Sequence, residues 1–264
     1  MNTSPLTLLQ ISDLHIFPDA ADTLLGINTQ YYFQQVLQHA HQQQLFDMIL
    51  VTGDLAQEPC QASYQRIAER LAAYHTPTIC LAGNHDDWQL MQQCLTQDKI
   101  SCRQQLIFQN WQLIALNSHK ANSNQGHLAV SELHFLQHCL ETQPTLHAMI
   151  AVHHHCIPTR STWLDTMIID NHAQLFAVLR DFPQVKLIST GHIHQELDAT
   201  EQGIRILGTP STCFQFKPLS HDFDVDTLSP GYRILQLYPT GDIQTQVFRL
   251  PIVLTELDNS SNGY

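Results

Sequence analysis

Five short apolar runs, rich in β-branched residues, alternate along the chain with segments that have the periodicity of helices. The runs are "LTLLQIS" (6–12), "FDMILVT" (46–52), "TPTICLA" (76–82), "LHAMIAV" (146–152) and "VKLIST" (185–190). Near-continuous apolar sequence over such lengths is typical of strands that are buried on both faces. The pattern therefore predicts five buried strands.

The segments between these runs repeat their apolar residues every three or four positions, as amphipathic helices do. They cover residues 29–44, 64–74, 88–95, 131–141 and 173–182. Ser131 is expected to cap the fourth of these helices. Strands that alternate with helices predict parallel pairing in an α/β fold.

Two further stretches have the pattern of antiparallel hairpins. "QLIFQNWQLIALN" (105–117) turns at Gln109-Asn110, and "YRILQLYPTGDIQTQVFRL" (232–250) turns at residues 239–242. They predict a second sheet that is largely antiparallel. Because no repeat and no linker interrupts the pattern, we expect one domain over 1–254, followed by a loose tail over 255–264.

Composition and charge restrict the partners of the chain. Its 264 residues carry a formal net charge of −12, with only 12 lysines and arginines. Such a surface is not expected to follow the phosphates of a nucleic acid polymer. No apolar stretch approaches the roughly 18 to 20 residues that cross a bilayer, and no signal peptide is evident. We therefore expect a cytoplasmic protein without a membrane partner, either a monomer or a homodimer, that binds small ligands or metals.

Residues that commonly bind metals follow each of the five predicted strands. They are Asp13-Leu14-His15, Gly53-Asp54, Gly83-Asn84-His85-Asp86, His153-His154-His155 and Gly191-His192-Ile193-His194. Ligands of open α/β sheets bind beyond the carboxyl ends of the strands, so these residues are expected to meet in one crevice. Each group alone is explained as a turn or a helix cap, but five in this order favour a site.

The donors in these groups are two carboxylates, one carboxamide and several imidazoles. This mixed set of oxygen and nitrogen suits manganese, iron or zinc rather than calcium or magnesium. Seven ligands are too many for one open catalytic metal, but they suit two metals about 3.5–4 Å apart with a bridging carboxylate. Such a pair of metals holds both the attacking and the leaving oxygen of a phosphoryl displacement.

These five groups resemble the D-x-H, G-D, G-N-H-[DE], H and G-H-x-H motifs of the calcineurin-like metallophosphoesterases. The resemblance implies a four-layer αββα sandwich of two mixed β-sheets flanked by helices. Segments outside the metal motifs, such as "STWLD" (161–165) and "TPSTCFQFKP" (209–218), are similar to the bacterial class III 3′,5′-cyclic AMP phosphodiesterases.

The resemblance implies two groups of metal ligands that share one bridging residue. Asp13, His15 and His194 belong to the first metal, Asn84, His153 and His192 to the second, and Asp54 to both. The implied cofactors are two divalent ions per chain, Fe²⁺ or Mn²⁺ in the first place and Zn²⁺ as an alternative.

The implied reaction is the hydrolysis of 3′,5′-cyclic AMP to AMP by in-line attack of a hydroxide that bridges the metals. His85 is expected to protonate the leaving 3′-oxygen or to hydrogen-bond a phosphate oxygen, with an orienting role as the alternative. The expected substrate contacts are His15, Asp54, Asn84, His85 and His194, and further candidates are His154, Arg160 and Trp163.

Two other functions stay open. One is a phosphodiesterase or phosphatase of broader specificity, acting on other cyclic nucleotides, glycerophosphodiesters or other small phosphate esters. The other is a binding scaffold that has kept the fold without the chemistry, which the complete ligand set makes the weaker hypothesis.

Several residues near these motifs allow two interpretations. Trp163 stacks on a purine or simply packs, and Arg160 approaches phosphate or lies on the surface. Asp86 and Asp87 suit an N-cap and a first-turn carboxylate of the helix from residue 88. Gln57 stands where protein phosphatases of the superfamily have an aspartate that pairs with the catalytic histidine, so no such dyad is expected.

The histidine triplet at 153–155 contributes one metal ligand in this interpretation. His153 follows the apolar run directly and aligns with the ligand of the family motif. His154 and His155 are expected outside the ligand set, with His155 in hydrogen bonds to its loop.

Overall fold

The computed structural model describes residues 4–261 and Gly263. Within them the α-helices are α1 (Thr29–Gln43), α2 (Gln61–Ala72), α3 (Trp88–Cys94), α4 (Val130–Thr142) and α5 (His172–Leu179), and a 3-10 helix covers Leu164–Met167. The apolar periodicity predicted all five helices, with bounds that differ by at most three residues. No helix of the described residues combines the length and the apolarity that a membrane crossing requires.

The first sheet joins a parallel part to an antiparallel hairpin. Its strands, in spatial order, are β14 (Ile243–Arg249), β13 (Gly231–Leu237), β1 (Leu6–Ile11), β2 (Met48–Thr52), β3 (Thr78–Leu81) and β4 (Ile100–Ser101). The strands β1 to β4 pair in parallel, and β13 and β14 pair antiparallel.

The second sheet has a parallel centre and an antiparallel strand at each edge. Its spatial order is β5 (Gln105–Phe108), β6 (Trp111–Leu116), β7 (His147–Val152), β8 (Val185–Thr190), β10 (Ile204–Gly208) and β9 (Leu197–Glu201). Outside it, β11 (Gln215–Phe216) and β12 (Val225–Asp226) form a short antiparallel ribbon.

Alternation along the strands produces three apolar layers. Leu8 and Leu50 point between the sheets, where they meet Met149 and Leu187 of the second sheet. One layer lies between the first sheet and helices α1 to α3, and another lies between the second sheet and helices α4 and α5. Since successive side chains of a strand point to opposite faces, each buried strand serves two layers. The predicted four-layer αββα sandwich is confirmed.

The predicted hairpins form, but the expectation of a separate, largely antiparallel sheet is wrong. β5 and β6 pair across their turn, and β6 then pairs in parallel with β7. β13 and β14 likewise extend the first sheet beside β1. Each hairpin therefore extends one of two mixed sheets, because its second partner comes from a distant part of the chain.

The helix caps differ in part from the predictions. Helix α4 begins after Ala129, which has no side-chain cap, so Ser131 already lies in the first turn and the prediction that it caps the helix is wrong. Asp87 caps α3 by accepting a hydrogen bond from Leu90 N at 3.0 Å. Asp86 is buried and bonds elsewhere.

The last described segment contacts the loop that precedes α1. Leu254 and Leu257 are buried, and the Tyr32 hydroxyl donates a hydrogen bond to Glu256. Asp258 N donates to Leu25 O at 2.9 Å. The predicted boundary after residue 254 stays a prediction, and residues 262 and 264 lie outside the described part of the chain.

A buried glutamine ties the two sheets together beside their strand ends. Gln10, on β1, donates through Nε2 to Thr52 Oγ1 at 3.2 Å and to Thr190 O at 3.1 Å. Ser189 Oγ donates to Gln10 Oε1 at 2.7 Å. The ends of β1, β2 and β8 are thus fixed relative to one another where the polar motifs follow.

Candidate metal centre

The predicted ligands converge at the carboxyl ends of five strands from both sheets. Asp13, His15, Asp54 and Asn84 follow strands of the first sheet, and His153, His192 and His194 follow β7 and β8 of the second. The ligand atoms of Asp13, His15 and His194 lie within 4.8 Å of one another, as do those of Asp13, Asp54 and His153. The crevice predicted from the strand ends is therefore present.

The first group brings two imidazoles and a carboxylate together. Nε2 of His15 and Nε2 of His194 are 3.3 Å apart, and the latter is 3.3 Å from Asp13 Oδ1. The Nδ1 atoms point away, to Gln57 Oε1 at 2.7 Å and to Phe214 O at 2.9 Å. When Nδ1–H donates to these oxygens, both Nε2 lone pairs face the carboxylate, an arrangement that suits a cation.

The second group surrounds His153 and His192. His153 Nε2 is 3.1 Å from Asn84 Oδ1 and 3.4 Å from Asp54 Oδ2, while its Nδ1 lies 2.8 Å from Thr52 O. Neither ring nitrogen of the buried His192 has a hydrogen-bond partner among the described residues. Since buried polar groups nearly always have partners, this imidazole fits the position of a metal ligand.

Asp54 lies between the two groups. Its Oδ1 accepts a hydrogen bond from His85 N at 2.9 Å, whereas its buried Oδ2 accepts none from the described residues. Oδ2 is 3.4 Å from His153 Nε2 and 4.0 Å from His15 Nε2. An unpaired buried carboxylate oxygen between two ligand groups is what a bridging ligand requires.

The electrostatics of the cluster keep the carboxylates ionised. Burial opposes the charge of Asp13 and Asp54, but neighbouring histidines, above all His194 and His153 respectively, lower both carboxyl pKa values below the usual range. Burial lowers the pKa of His15 to about 3. Burial also disfavours charge on His153, yet Asp54 raises its pKa to about 9. Ionised carboxylates and the neutral His15 are in the protonation states that metal ligands need, whereas His153 is protonated beside Asp54 and would lose that proton on binding a metal.

His85 lies at the rim of the cluster and is partly exposed. Its backbone N–H is held by Asp54, and its ring stands edge-on to His15, with the ring centres 5.1 Å apart. Gln57 bonds to His15 Nδ1, so the position that holds an aspartate in the protein phosphatases here supports a predicted metal ligand.

The other two histidines of the triplet are both buried but differ in their contacts. His154 has a partner on each ring nitrogen, Ser118 Oγ at 2.7 Å and Asn124 O at 3.2 Å. Neither ring nitrogen of His155 has a hydrogen-bond partner among the described residues, and Asp165 Oδ1 lies 3.6 Å from its Nε2. The predicted loop hydrogen bonds of His155 are therefore wrong. Its ring instead lies parallel to that of His192, with centres 5.7 Å apart.

Asp86 is a residue of this region whose role the sequence did not reveal. Its buried carboxylate accepts four hydrogen bonds, from Gly83 N at 2.9 Å, Leu55 N at 3.0 Å, Ala56 N at 3.1 Å and the Tyr64 hydroxyl at 3.0 Å. These bonds join the loops after β2 and β3, which carry Asp54 and Asn84. An acidic residue just before a helix suggests a cap, and only the folded structure shows that this carboxylate is buried and joins the two loops.

The loop after the triplet is anchored by a second carboxylate. Asp165 accepts hydrogen bonds from Thr159 N and Oγ1, both at 2.7 Å, and from Arg160 N at 3.1 Å. Arg160 is exposed, and its guanidinium has no hydrogen-bond or ion-pair partner within residues 4–261. Hydrogen bonds to Asp165 therefore fix the backbone of this loop, while the Arg160 guanidinium has no partner among the described residues.

Trp163 belongs to an aromatic cluster beside the first ligand group. Its ring stands edge-on to Phe216 and to Phe223, with centre distances of 4.9 Å and 5.3 Å. Phe216 in turn lies nearly parallel to His194 at 4.2 Å. Two ring contacts thus separate the partly exposed Trp163 from a predicted metal ligand.

A two-sheet sandwich with carboxylate and histidine clusters at its shared strand ends defines the class of metallophosphoesterases with a dinuclear divalent metal centre. The chain belongs to the calcineurin-like phosphoesterase family, whose model matches residues 6–196. The family predicted from the motifs is confirmed.

Two bacterial relatives match nearly the whole chain. The 3′,5′-cyclic adenosine monophosphate phosphodiesterase CpdA of Escherichia coli (strain K12) is 40% identical over 262 residues, which cover 97% of this chain and 94% of that protein. CpdA of Vibrio vulnificus is 38% identical over 266 residues, with coverage of 100% and 97%. A dimetal phosphatase from Danio rerio shares the fold, with a TM-score of 0.60, 14% identity and coverage of 93% and 99%.

Proposed function

We propose that this protein hydrolyses 3′,5′-cyclic AMP to AMP. The observation that carries the proposal is the similarity to the two phosphodiesterases, which extends over nearly the full chain rather than over the metal motifs alone. The crevice supports the same conclusion, because its carboxylates and imidazoles are arranged as ligands for cations at a single site.

In this proposal, Asp13, His15 and His194 hold one metal, Asn84, His153 and His192 hold the other, and Asp54 contacts both. The buried ring nitrogens of His192 and the buried Oδ2 of Asp54, which have no hydrogen-bond partner within the described residues, support the assignment. Mixed nitrogen and oxygen donors favour iron or manganese, with zinc as the alternative. When bound, the two ions supply a nucleophile by acidifying water and neutralise charge on the phosphodiester.

His85 is the residue proposed to act on the leaving group. It lies at the partly exposed rim, while Asp54 fixes its backbone and its ring stands edge-on to His15. From there its imidazole either donates a proton to the departing 3′-oxygen or hydrogen-bonds a phosphate oxygen. The other proposed substrate contacts are His15, Asp54, Asn84 and His194.

Trp163 is proposed as the surface that receives the purine. Its Nε1 is buried and has no hydrogen-bond partner in the part of the chain that the structure describes, so the exposed part of the indole is carbon. Carbon surface on a half-buried ring suits stacking by a base. Arg160, with its unpaired guanidinium, is the proposed anion contact of the loop. His154 is held by Ser118 and Asn124, which supports a structural role for its ring.

The deciding experiment compares the turnover of cyclic AMP, cyclic GMP, 2′,3′-cyclic AMP and p-nitrophenyl phosphate, with metal content measured on the same sample. We expect cyclic AMP to be the preferred substrate. If the protein cleaves another of these esters well but does not cleave cyclic AMP when loaded with iron, manganese or zinc, the proposal is refuted. That result favours the phosphoesterase of broader specificity.

Two variants test the assigned residues in the same assay. His85→Ala is expected to lower kcat for cyclic AMP about 100-fold or more, and to affect bis(p-nitrophenyl) phosphate less, because nitrophenolate leaves without a proton. Trp163→Ala is expected to raise KM for cyclic AMP about tenfold, because the variant loses one stacked base. KM for bis(p-nitrophenyl) phosphate is not expected to rise. The cytoplasmic location and the monomeric or homodimeric state stay predictions.

A further inference from the structure

Three imidazoles of the site direct Nδ1 away from the centre, and every one of them meets an uncharged oxygen. The pairs are His15 with Gln57 Oε1 at 2.7 Å, His153 with Thr52 O at 2.8 Å and His194 with Phe214 O at 2.9 Å. An imidazole that binds a metal through Nε2 carries its proton on Nδ1, so each of these oxygens accepts a hydrogen bond from Nδ1–H.

Gln57 is the one side chain among these three acceptors, because the other two are backbone carbonyls. A substitution at residue 57 therefore alters the support of a single imidazole without touching the backbone of a strand or of another ligand. Thr52 O and Phe214 O are backbone atoms, so a side-chain substitution cannot remove them.

The backbone of Gln57 is fixed relative to His15. Gln57 N donates to Ile16 O at 3.1 Å, and Ile16 forms an isolated parallel bridge with Ala56. His15 N in turn donates to Asp54 O at 3.0 Å. The two segments thus run side by side, and the partly buried amide reaches the ring without a change in either backbone.

We propose that Gln57 is a positioning residue that holds the His15 ring with Nε2 toward the first metal and, because it is uncharged, limits the metal affinity of that position. A carboxylate acceptor behind a histidine raises the basicity of the metal-binding nitrogen, and loss of the acceptor typically costs 10–100-fold in affinity. Residue 57 therefore sets the strength of His15 as a ligand. The inference rests on the ligand assignment of the proposed function, and not on the identity of the substrate.

The test measures Mn²⁺ binding to the full-length, metal-free protein by competition with a fluorescent chelator, without substrate. Gln57→Leu removes the acceptor, and we expect one of the two Mn²⁺ sites to weaken 10–100-fold. Gln57→Glu keeps the shape and supplies a carboxylate, so we expect that site to bind at least threefold more tightly than in the unmodified protein. The other site is expected to stay within about threefold.

Gln93→Leu is the matched control, because Gln93 is exposed on α3, and it is expected to leave both affinities unchanged. Unchanged binding at both sites in the two Gln57 variants overturns the proposal, as does equal weakening of both sites. If Gln57→Leu does not fold, as judged by circular dichroism, the near-isosteric Gln57→Glu alone decides. Because no substrate is present, normal Mn²⁺ binding by a protein that fails to cleave cyclic AMP refutes the proposed function but not this inference.

Discussion

Five of the seven proposed ligands have a left-handed backbone, which residues other than glycine seldom adopt. Their φ angles are 55° at Asp13, 48° at His15, 49° at Asp54, 63° at His192 and 44° at His194. Such conformations cost about 1–3 kcal/mol each, and they cluster at functional sites. Backbone hydrogen bonds, such as Asp13 N to Gly53 O and His15 N to Asp54 O, both at 3.0 Å, hold these conformations in place.

Asp86→Asn is expected to lower the free energy of unfolding by about 2–4 kcal/mol. Each carboxylate oxygen of Asp86 accepts two hydrogen bonds. In asparagine an NH₂ group replaces one of these oxygens, and because NH₂ is itself a donor it cannot accept from the two donors that face it. Urea unfolding of the metal-free protein measures the change. Asp87→Asn is the control, since asparagine is an equally good N-cap, and its effect is expected to stay below about 0.5 kcal/mol. Equal effects of the two variants would falsify the structural role of Asp86.

Asp165 provides a pH-dependent prediction. Burial acts to raise its pKa, but His155 and the Thr159 donors lower the pKa of Asp165 from 3.8 to about 2. Because the folded pKa is the lower one, the stabilisation is complete above the unfolded pKa of 3.8 and is lost as the pH falls toward about 2.

The stability difference between the unmodified protein and Asp165→Asn is therefore expected to shrink by about 1–2 kcal/mol between pH 5 and pH 2.5. Urea unfolding of the metal-free proteins across this range checks it. Asp222→Asn, at a side chain that is 90% exposed, is the control and should show a constant difference. A constant difference for Asp165→Asn as well contradicts the prediction.

At the scale of elements, the strand ends of the two sheets approach so closely that glycine is required between them. Gly53 follows β2 with φ +93°, and a Cβ there would lie 2.3 Å from His153 Nδ1 of the opposite sheet. A Cβ at Gly83 would lie 2.1 Å from Asp54 Oδ1. The glycines in G-D and G-N-H-D thus make room for ligands as well as forming turns.

Gly53→Ala is expected to displace the His153 ring and to lower phosphodiester turnover by about 100-fold or more, since misplacement by about 1 Å has effects of that size. Gly203→Ala is a matched control, because Gly203 has φ +81° but its Cβ would meet no described residue within 4 Å. Both substitutions cost about 1 kcal/mol of stability, because alanine disfavours a positive φ. Only the methyl group of Gly53→Ala would contact a proposed metal ligand. Urea unfolding measures the stability cost of each variant, and steady-state kinetics measures its turnover. Equal turnover by the two variants would show that contact with His153 is unimportant.

At the scale of the whole molecule, the site depends on how the two sheets are held against each other. Arg233 of β13 is 1% exposed and donates across the sandwich to Gly208 O at 2.8 Å and Leu197 O at 3.1 Å, both from the second sheet. Burial lowers the pKa of Arg233 to about 10, which leaves it charged near neutral pH. Together with Gln10, it connects the halves that carry Asp54 and His192.

Arg233→Ala is expected to lower the free energy of unfolding by about 3–5 kcal/mol, because it leaves buried carbonyls unpaired and creates a cavity. Arg180→Ala is the control, since Arg180 is exposed just after α5, and it is expected to change the free energy of unfolding by about 0.5 kcal/mol or less. Chemical unfolding of both variants measures the difference. A loss at Arg233 no greater than that at Arg180 means that the cross-sheet bonds contribute little.

The sequence by itself determined the five strands that precede the ligands, the two hairpins, the helices and the place of the ligands along the chain, but not the short strand β4, the pair β9 and β10 or the ribbon of β11 and β12. The apolar runs are local patterns, and burial on both faces selects the same residues in the sequence and in the fold, as at Met48–Thr52 and Val185–Thr190. Because parallel strands share one carboxyl end, the motifs that follow them were expected to meet, and they do.

Only the tertiary structure decided which strands the hairpins join and which atoms support the ligands. His15 and His194 meet across 179 residues of chain, and Asp86 bonds to loops about 30 residues away. Such partners depend on the packing of one sheet on the other, which no local pattern records. For the same reason Gln57 was recognised in the sequence as a departure from a motif, while the structure identified it as the support of His15.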